Sequence, residues 1–275
     1  MFEKQFPKKF SPIYIECTTL GEAWVRLIWN CFEYGRPYFI EEGSRAGQHR
    51  LTMDFACAII IHPESRPFVP LAKPGQIVPT DEKTIEEQYF PRYVYSPLPP
   101  EPEEHYNYSE FLYPLANSII KYYSEKSLWN AHPVMRVGDP FCFMDYFEPY
   151  DSECKRKTTP CLLGINPKII NIDKQLFMTF HVMYRSWDLF SGYLTNNGGF
   201  QLLKEFMCSE ISERANIDLK PGPTVTSCVD LHLYEEDIVA ASTWTNHNVE
   251  NLLSFLKECR NKKTEDLYKL KNLLN

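Results

Sequence analysis

The chain has 275 residues, of which 44% are hydrophobic and 15% aromatic, so it can bury a sizeable core. Its net charge of −7 excludes a general nucleic-acid binder, because such proteins neutralise phosphates with clustered lysine and arginine. No apolar run reaches the roughly 20 residues of a membrane helix, and the first residues lack the apolar core of a secretory signal. We therefore expect a cytoplasmic protein that is not bound to a membrane, with a single domain over residues 1–275.

The nine cysteines form an odd set without CxxC pairs or regular spacing. Such a set is typical of reduced thiols in a cytosolic protein, most of them small core residues. The sequence therefore predicts neither a disulfide framework nor a metal site.

The first third of the chain predicts a helix followed by a long strand. Apolar residues from Leu20 to Phe32 recur at helical spacing, with Thr18 or Thr19 available to cap the helix. Residues Arg50 to Ile61 are apolar and partly alternating without a breaker, which predicts one long strand. The proline-rich segment from Pro91 to Glu104 predicts an extended surface excursion.

Three elements are predicted in the middle of the chain. Ser109 to Lys121 has a helical pattern, in which Pro114 is tolerable near the first turn or as a kink. His132 to Val137 predicts a strand. Two β-rich runs between Ile169 and Met183 flank Asp173 and Lys174, which indicates a hairpin.

The last third predicts a helix, a strand and a second helix. The apolar helical pattern runs from Phe200 to Ile211, and the asparagines and glycines before it indicate a cap. A turn is predicted at Pro221-Gly222-Pro223, followed by a strand from Thr226 to Tyr234. The region from Asn246 onward is helical in pattern.

The densest group of chemistry-bearing residues lies between residues 160 and 234. Its motifs are Pro160-Cys161-Leu162, Arg185-Ser186-Trp187-Asp188, Gly192, Asn196 and His232-Leu233-Tyr234. With the earlier loop Gly43-Ser44-Arg45-Ala46-Gly47, this series resembles the thymidylate synthase and pyrimidine nucleotide hydroxymethylase family, in its shorter archaeal-type branch. The resemblance implies a thymidylate synthase-like α+β fold. In that fold a large twisted mixed β-sheet has helices on one face and pairs through the other in a sheet-to-sheet homodimer.

The family's chemistry begins with a thiolate. Carbon 5 of a pyrimidine is a poor nucleophile until carbon 6 has been attacked, and a cysteine thiolate suits that attack. The resemblance implies Cys161 as the nucleophile and Arg185 as the cation that lowers the pKa of the thiol and contacts the substrate phosphate. A packed, unreactive thiol is the alternative for Cys161.

The resemblance also implies a set of substrate ligands. Arg45 and Ser186 would join Arg185 at the phosphate, where a planar guanidinium suits an anion. His232 and Tyr234, two apart on a strand and hence on one face, would reach the sugar hydroxyl. Asn196 would read the base, and an asparagine favours uracil over cytosine. Its alternative role is to cap the following helix.

Carboxylates complete the implied site. Asp188 resembles the residue that contacts the pyrimidine and orders its loop, with a buried structural carboxylate as the alternative. A general acid/base glutamate is also expected, and Glu86 or Glu87 fits its position in the chain.

Two departures from the family concern the phosphate and the folate. The adjacent arginines that reach across the dimer to the phosphate are replaced by Ala131 and His132. Arg136, predicted on the same strand face as His132, is the candidate to compensate for them. The end of the chain, Leu270 to Asn275, lacks the apolar tail that closes over folate in larger synthases.

The resemblance implies one-carbon transfer from 5,10-methylenetetrahydrofolate, as co-substrate, to carbon 5 of a pyrimidine nucleoside monophosphate. The first interpretation is a thymidylate synthase that converts dUMP to dTMP. A hydroxymethylase acting on dUMP, dCMP or CMP is the second, because water that enters the site adds where hydride would otherwise be transferred. A non-catalytic relative that binds a nucleotide or a partner is the third.

Overall fold

A computed structural model describes residues 10–41, 45–101, 104, 107–138 and 160–258. Gly43 and Ser44 of the predicted arginine loop lie outside the described residues, as does the end of the chain from residue 259. None of the helices in the described part combines the length and apolar content that a bilayer span requires.

The described residues form ten strands and six helices. The strands are β1 (Pro12–Cys17), β2 (Arg36–Phe39), β3 (His49–Met53), β4 (Phe55–Ile60), β5 (Met135–Arg136), β6 (Leu162–Ile172), β7 (Gln175–Tyr184), β8 (Trp187–Asp188), β9 (Leu219–Cys228) and β10 (Leu231–Tyr234). The helices are α1 (Leu20–Tyr34), α2 (Glu82–Thr84), α3 (Ser109–Glu125), α4 (Tyr193–Ala215), α5 (Ile238–Thr245) and α6 (Glu250–Glu258). A π-helical segment, Ile85–Val94, continues α2, and one turn of 3-10 helix, Glu235–Asp237, precedes α5.

The larger sheet has six strands in the order β1-β4-β9-β7-β6-β5. It is mixed, because β1 runs parallel to β4 and β7 parallel to β9, whereas the β4/β9, β6/β7 and β5/β6 pairs are antiparallel. Helices α1, α3 and α4 cover one face, on which every second strand residue is buried. The expected α+β class with a mixed sheet is confirmed.

The opposite face of this sheet is not covered in the same way by the described helices. Tyr14 and His181 are exposed there, and Cys57 and Val225 are half-buried. The expected pairing of this face with a second copy stays a prediction.

Helix α1 forms where its periodicity predicts. The Thr19 hydroxyl accepts a hydrogen bond from the Glu22 amide at 3.2 Å, and the Glu22 carboxylate accepts from the Thr18 amide at 2.7 Å, which caps two otherwise unpaired donors. Its buried stripe includes Trp24, whose indole N–H donates to the Leu189 carbonyl at 2.8 Å. The helix therefore holds the loop that follows β8.

The prediction of one strand from Arg50 to Ile61 is wrong. The extended segment is interrupted at Asp54, so that β3 and β4 belong to different sheets. The Asp54 carboxylate fixes this corner, because it accepts hydrogen bonds from Arg36 at 2.8 Å and from the Ser11 amide at 3.2 Å.

The predicted strand from Thr226 to Tyr234 breaks opposite the same point. Strand β9 ends at Cys228, which is paired with Ala56, and β10 begins at Leu231, which is paired with Met53. A two-stranded ribbon thus passes from the large sheet into a smaller one, ordered β2-β3-β10-β8. The place where both strands of the ribbon break is called the corner below.

The predicted turn at Pro221-Gly222-Pro223 is also wrong, because these residues lie inside β9. Pairing of β9 with β4 stops at Thr224. On that edge Pro221 and Pro223 therefore face no partner strand that would require the backbone N–H that proline lacks. Pairing with β7 continues there with a register shift between Met178 and Phe180.

Helix α4 begins earlier than predicted, since the asparagines and glycines expected to cap it form its first turns. A β-carbon on Gly198 would come within 2.9 Å of Ile85, and one on Gly199 within 2.8 Å of Tyr89. These glycines therefore let the π-helical segment pack directly on α4. That packing also explains why residues up to Val94 are helical rather than the extended excursion expected from Pro91 onward.

The remaining predictions differ in extent. The hairpin is confirmed, with positive φ angles of 51° at Asp173 and 71° at Lys174. Helix α3 continues to Glu125 with Pro114 inside it. The strand predicted from His132 is limited to Met135–Arg136, so His132 does not share a strand face with Arg136.

Candidate functional site

The corner gathers residues from four separate parts of the sequence. The Arg185 amide donates to the Cys161 carbonyl at 3.0 Å, which joins the start of β6 to the end of β7. The Trp187 amide donates to the Asp230 carbonyl at 2.9 Å. Strand β8 then runs parallel to β10, with Asp188 beside His232. Half-buried Cys161 and Arg185 therefore lie next to the strands that carry the other predicted site residues.

Asp230 is the centre of hydrogen bonding at the corner. Its carboxylate accepts from Arg50 at 2.7 Å, from the Thr52 hydroxyl at 2.7 Å and from the Ser186 hydroxyl at 3.1 Å. Three donors on one partly buried carboxylate fix its position, because moving it would leave several groups unpaired.

Sequence reasoning missed Asp230 and Arg50. A usable signal was present, because Asp230, His232 and Tyr234 alternate along one stretch of chain, and alternation places such residues on one face of a strand. Arg50 had no comparable signal, since its role depends on pairing of β3 with β10.

His232 is buried, with 2% of its surface exposed. Burial and the Arg50 charge lower the pKa of His232 to about 4, although Asp230 acts in the opposite direction. The ring is therefore neutral at pH 7. Its Nδ1 lies 3.1 Å from the Asp230 carbonyl, which can only accept, and 3.4 Å from an Arg50 nitrogen, which can only donate. The shorter of the two contacts favours the tautomer with the proton on Nδ1. Among the described residues Nε2 has no hydrogen-bond partner, and it is enclosed. A ligand hydroxyl could donate to it only after neighbouring side chains had moved.

Tyr234 lies where the predicted residues converge. Its ring packs edge-on against His232 at 4.7 Å, and the Arg45 guanidinium lies over it at 4.1 Å from the ring centre. Burial raises the pKa of Tyr234, the charges of Asp188 and Cys161 act in the same direction, and those of Arg50 and Arg45 oppose them. Cys161, Asp188 and Arg45 therefore all lie within electrostatic range of one phenol.

Arg45 forms an ion pair with Glu236, from the turn that follows β10. Burial works to lower the pKa of Arg45, but the hydrogen bond and charge of Glu236, with smaller effects of Tyr234 and Asp188, raise it. The predicted phosphate ligand is therefore already paired with a carboxylate.

Two further carboxyl groups near Arg45 have raised pKa values. Burial raises the pKa of Asp188, although its carboxylate accepts hydrogen bonds from the amides of Phe190 at 3.0 Å and Ser191 at 3.1 Å, which lower it. Burial, Asp188 and Glu236 raise the pKa of Asp237 to about 6. The neighbourhood of Arg45 thus contains more carboxyl groups than the sequence motifs alone indicate.

Asn196 lies in the first turn of α4, so its alternative role as the cap of that helix is wrong. The Trp187 indole N–H donates to the Asn196 side-chain oxygen at 2.8 Å, and the Asn196 amide nitrogen donates to the Tyr89 hydroxyl. Because an indole N–H can only donate, the orientation of the Asn196 amide is determined.

Glu86 and Glu87 are exposed on the π-helical segment. Glu86 is 3.8 Å from Arg66, and Glu87 is 3.8 Å from Lys83. In this segment Tyr89 is the residue that contacts Asn196. The role of either glutamate as an acid or base stays a prediction.

Among the residues that the structure describes, no group of three or more histidine, cysteine, aspartate or glutamate side chains is arranged to hold a metal ion.

Comparisons with known proteins gave one kind of match. No protein-family model and no curated protein matches the sequence. Among solved structures, the chain is similar to the thermostable thymidylate synthase A from Bacillus subtilis, with 11% sequence identity and a TM-score of 0.47. That similarity covers 83% of this chain and 84% of the other.

Proposed function

We propose that this protein transfers a one-carbon unit from 5,10-methylenetetrahydrofolate to carbon 5 of dUMP and releases dTMP. The observation that supports this most is that Arg45 lies over Tyr234, Tyr234 packs against His232, and Asp188 pairs with His232 in the small sheet. The charges of Cys161 and Asp188 also act on Tyr234. A thiol, a carboxyl group and a guanidinium in one neighbourhood are groups needed to attack a pyrimidine ring while its nucleotide is held.

In the proposed reaction the Cys161 thiolate adds to carbon 6 of the uracil ring. The electron pair of the carbon 5–carbon 6 double bond moves onto carbon 5 and oxygen 4, which makes carbon 5 nucleophilic. When bound, the folate supplies the methylene group and the hydride that completes the methyl group. Carbon 5, now bonded to the transferred carbon, loses its proton. The bond from Cys161 to carbon 6 then breaks, so that its electron pair returns to sulfur and the carbon 5–carbon 6 double bond is restored.

The substrate would be held from both ends. Arg45 would donate to the phosphate with Arg185. Ser186, whose hydroxyl donates to Asp230 in this structure, would turn from that carboxylate to join them. The unpaired Nε2 of His232 would accept from the sugar hydroxyl, with Tyr234 beside it. The neutral state of His232 suits this role, because a charged imidazole could not accept a hydrogen bond.

Asn196 favours uracil over cytosine for a geometric reason. Trp187 holds the Asn196 carbonyl oxygen, so the group that Asn196 presents elsewhere is its amide nitrogen, now directed at Tyr89. An amide nitrogen donates, which suits oxygen 4 of uracil and not the amino group of cytosine. A base would take the place of the Tyr89 hydroxyl.

A flat aromatic surface next to Asn196 fits the pterin ring of a folate. Tyr89 and Tyr93 are stacked, with ring centres 5.5 Å apart and planes inclined by 25°. Tyr89 is partly buried and Tyr93 is exposed, so a ligand ring could lie against them.

We also infer a homodimer through the open face of the large sheet. Tyr14, Cys57 and Val225 make this face partly apolar. Pairing with a second copy would remove these side chains from water. Sedimentation of the intact chain tests it, and a monomer at high concentration would contradict it.

The reaction is tested by incubating the protein with dUMP, dCMP or CMP and 5,10-methylenetetrahydrofolate. We expect dUMP, and neither of the other two nucleotides, to give dihydrofolate absorbance and a product with the mass of dTMP. Product with one added CH₂O and no dihydrofolate would instead identify a hydroxymethylase. Failure of all three nucleotides to react would identify a non-catalytic relative.

A further inference from the structure

We propose that Glu236 determines the specificity of this site, as an internal carboxylate that occupies Arg45 until a substrate phosphate displaces it. The inference rests on the proposed function, since it concerns the same arginine. It adds a residue that the sequence motifs do not contain and assigns it a competitive role.

Glu236 occupies the position of an anion at Arg45. Its carboxylate is hydrogen-bonded to the guanidinium, which lies over the Tyr234 ring 4.1 Å from its centre. The Arg45 side chain is 35% exposed and that of Glu236 is 53% exposed. An incoming phosphate can therefore reach the guanidinium from solvent, and the glutamate can move into water at little cost.

A second carboxylate at the corner behaves differently. Asp230 is bonded to Arg50 with side-chain exposures of 25% and 15%, and Asp230 also binds Thr52 and Ser186. Its displacement would leave three donors unpaired, so Asp230 is a fixed part of the site. Glu236, whose contact among the described side chains is with Arg45, is the carboxylate that exchanges.

The charges around Arg45 strengthen the competition. Asp188 and Asp237 lie close enough to Glu236 for its charge to raise the pKa of each, after the larger effect of burial. An entering dianion therefore meets local negative charge unless Glu236 leaves. The wild-type site should favour ligands that offer more to Arg45 than one carboxylate does, and should bind weaker anions poorly.

Glu236→Gln tests this directly, because it removes the competing charge and keeps the shape of the side chain. Glu235→Gln is the matched control: it removes an equal charge from the adjacent residue, which contacts His49 and not Arg45. Calorimetric titration would use inorganic sulfate, dUMP and deoxyuridine. Sulfate keeps its double charge throughout the neutral range and needs no catalysis.

We expect Glu236→Gln to bind sulfate and dUMP about tenfold more tightly than the wild type, with no change for deoxyuridine. Glu235→Gln should match the wild type. The gain should vanish in the double variant Glu236→Gln/Arg45→Met, and thermal unfolding should verify that each variant is folded.

Unchanged or weaker sulfate binding by Glu236→Gln, or an equal gain in Glu235→Gln, would overturn the inference. The proposed function is judged separately, from release of tritium from dUMP labelled at carbon 5. Tighter sulfate binding without tritium release would support the role of Glu236 and contradict the reaction. Tritium release without the sulfate effect would do the reverse.

Discussion

The two sheets share a ribbon of chain and both bury apolar residues, but they differ in the charged groups that they carry. The six-stranded sheet packs apolar residues such as Ala58, Phe180 and Val182 beneath its helices. The four-stranded sheet brings together charged groups, among them Arg50 and Asp230. The change occurs within two or three residues along each strand, at the corner. The residues of the candidate site are thus concentrated at the corner and in the small sheet.

Trp24 connects the two regions. It is fully buried in α1, packs against Phe190 and Trp244, and binds the Leu189 carbonyl in the loop after β8. A change in the core can therefore reach the site through this one side chain.

Replacement of Trp24 should have the largest effect on stability. Trp24→Ala should lower the free energy of unfolding by about 3–5 kcal/mol, because it leaves a large cavity under α1. Trp24→Phe, which keeps an aromatic ring but loses the indole donor, should cost less. Urea unfolding measures both. A loss of less than about 1 kcal/mol for Trp24→Ala would contradict its role as a core side chain that joins the two regions.

Asp230→Ala should come next, with a loss of about 3 kcal/mol, because it leaves Arg50 partly buried without its carboxylate. The control is Asp218→Ala, which removes an exposed carboxylate 3.6 Å from Lys220 and should change stability by about 0.5 kcal/mol or less. Equal losses in chemical unfolding would show that the corner is not a fixed unit.

Lys204 sharpens the comparison, because it is a buried cation in the apolar region. It is fully buried on α4 and donates to the Gly222 carbonyl and the Thr224 hydroxyl, each at 2.6 Å. Burial lowers the pKa of Lys204 to about 7 from its ordinary 10.5, although Cys208, Glu64 and Glu205 act in the opposite direction.

Between these two pKa values the unfolded chain binds a proton that the folded chain has released, so raising the pH favours the folded state. The stability of the wild type relative to Lys204→Met should therefore rise by about 1–2 kcal/mol from pH 7 to pH 8.5. Comparison with a variant cancels the ionisation of other groups. Lys121→Met, on the exposed side of α3, should give no such slope. A flat difference for Lys204→Met would mean that Lys204 stays charged when folded.

Asn196→Asp should have the smallest effect, about a tenfold shift in binding preference from dUMP towards dCMP, or about 1.4 kcal/mol. An aspartate presents an acceptor where the Asn196 amide nitrogen donates, which suits the amino group of cytosine. Thermal shifts with each nucleotide measure the change. An unaltered preference would remove Asn196 from base recognition.

The sequence predicts the elements whose signals are local. Helix α1 has its own cap at Thr19, and the β6–β7 hairpin has Asp173 and Lys174 to adopt positive φ angles. The corner could not be predicted in this way, because apolar alternation continues through it. Asp54 becomes a break only when Arg36 and Ser11 reach its carboxylate from other elements.

For the candidate site, motif residues indicate a neighbourhood but not its electrostatics. The predicted residues Arg45, Ser186, His232 and Tyr234 lie together around the corner. Their partners Asp230 and Glu236 reach them only in the folded chain, where Asp230 binds Ser186 and Glu236 binds Arg45. The carboxylates of the site were therefore not predictable from the sequence. The positions of Glu86 and Glu87 illustrate the same limit, because spacing along the chain does not determine which side of the π-helical segment faces Asn196.

The proposed reaction depends on attack of Cys161 on the pyrimidine ring. The most direct test is tritium release from dUMP labelled at carbon 5, in the presence of 5,10-methylenetetrahydrofolate. The wild type and Cys57→Ser, which alters a half-buried thiol on the open face of the large sheet, should release tritium. Cys161→Ser should release none above background. Equal release by Cys161→Ser and the wild type, or no release by the wild type, would contradict the claim.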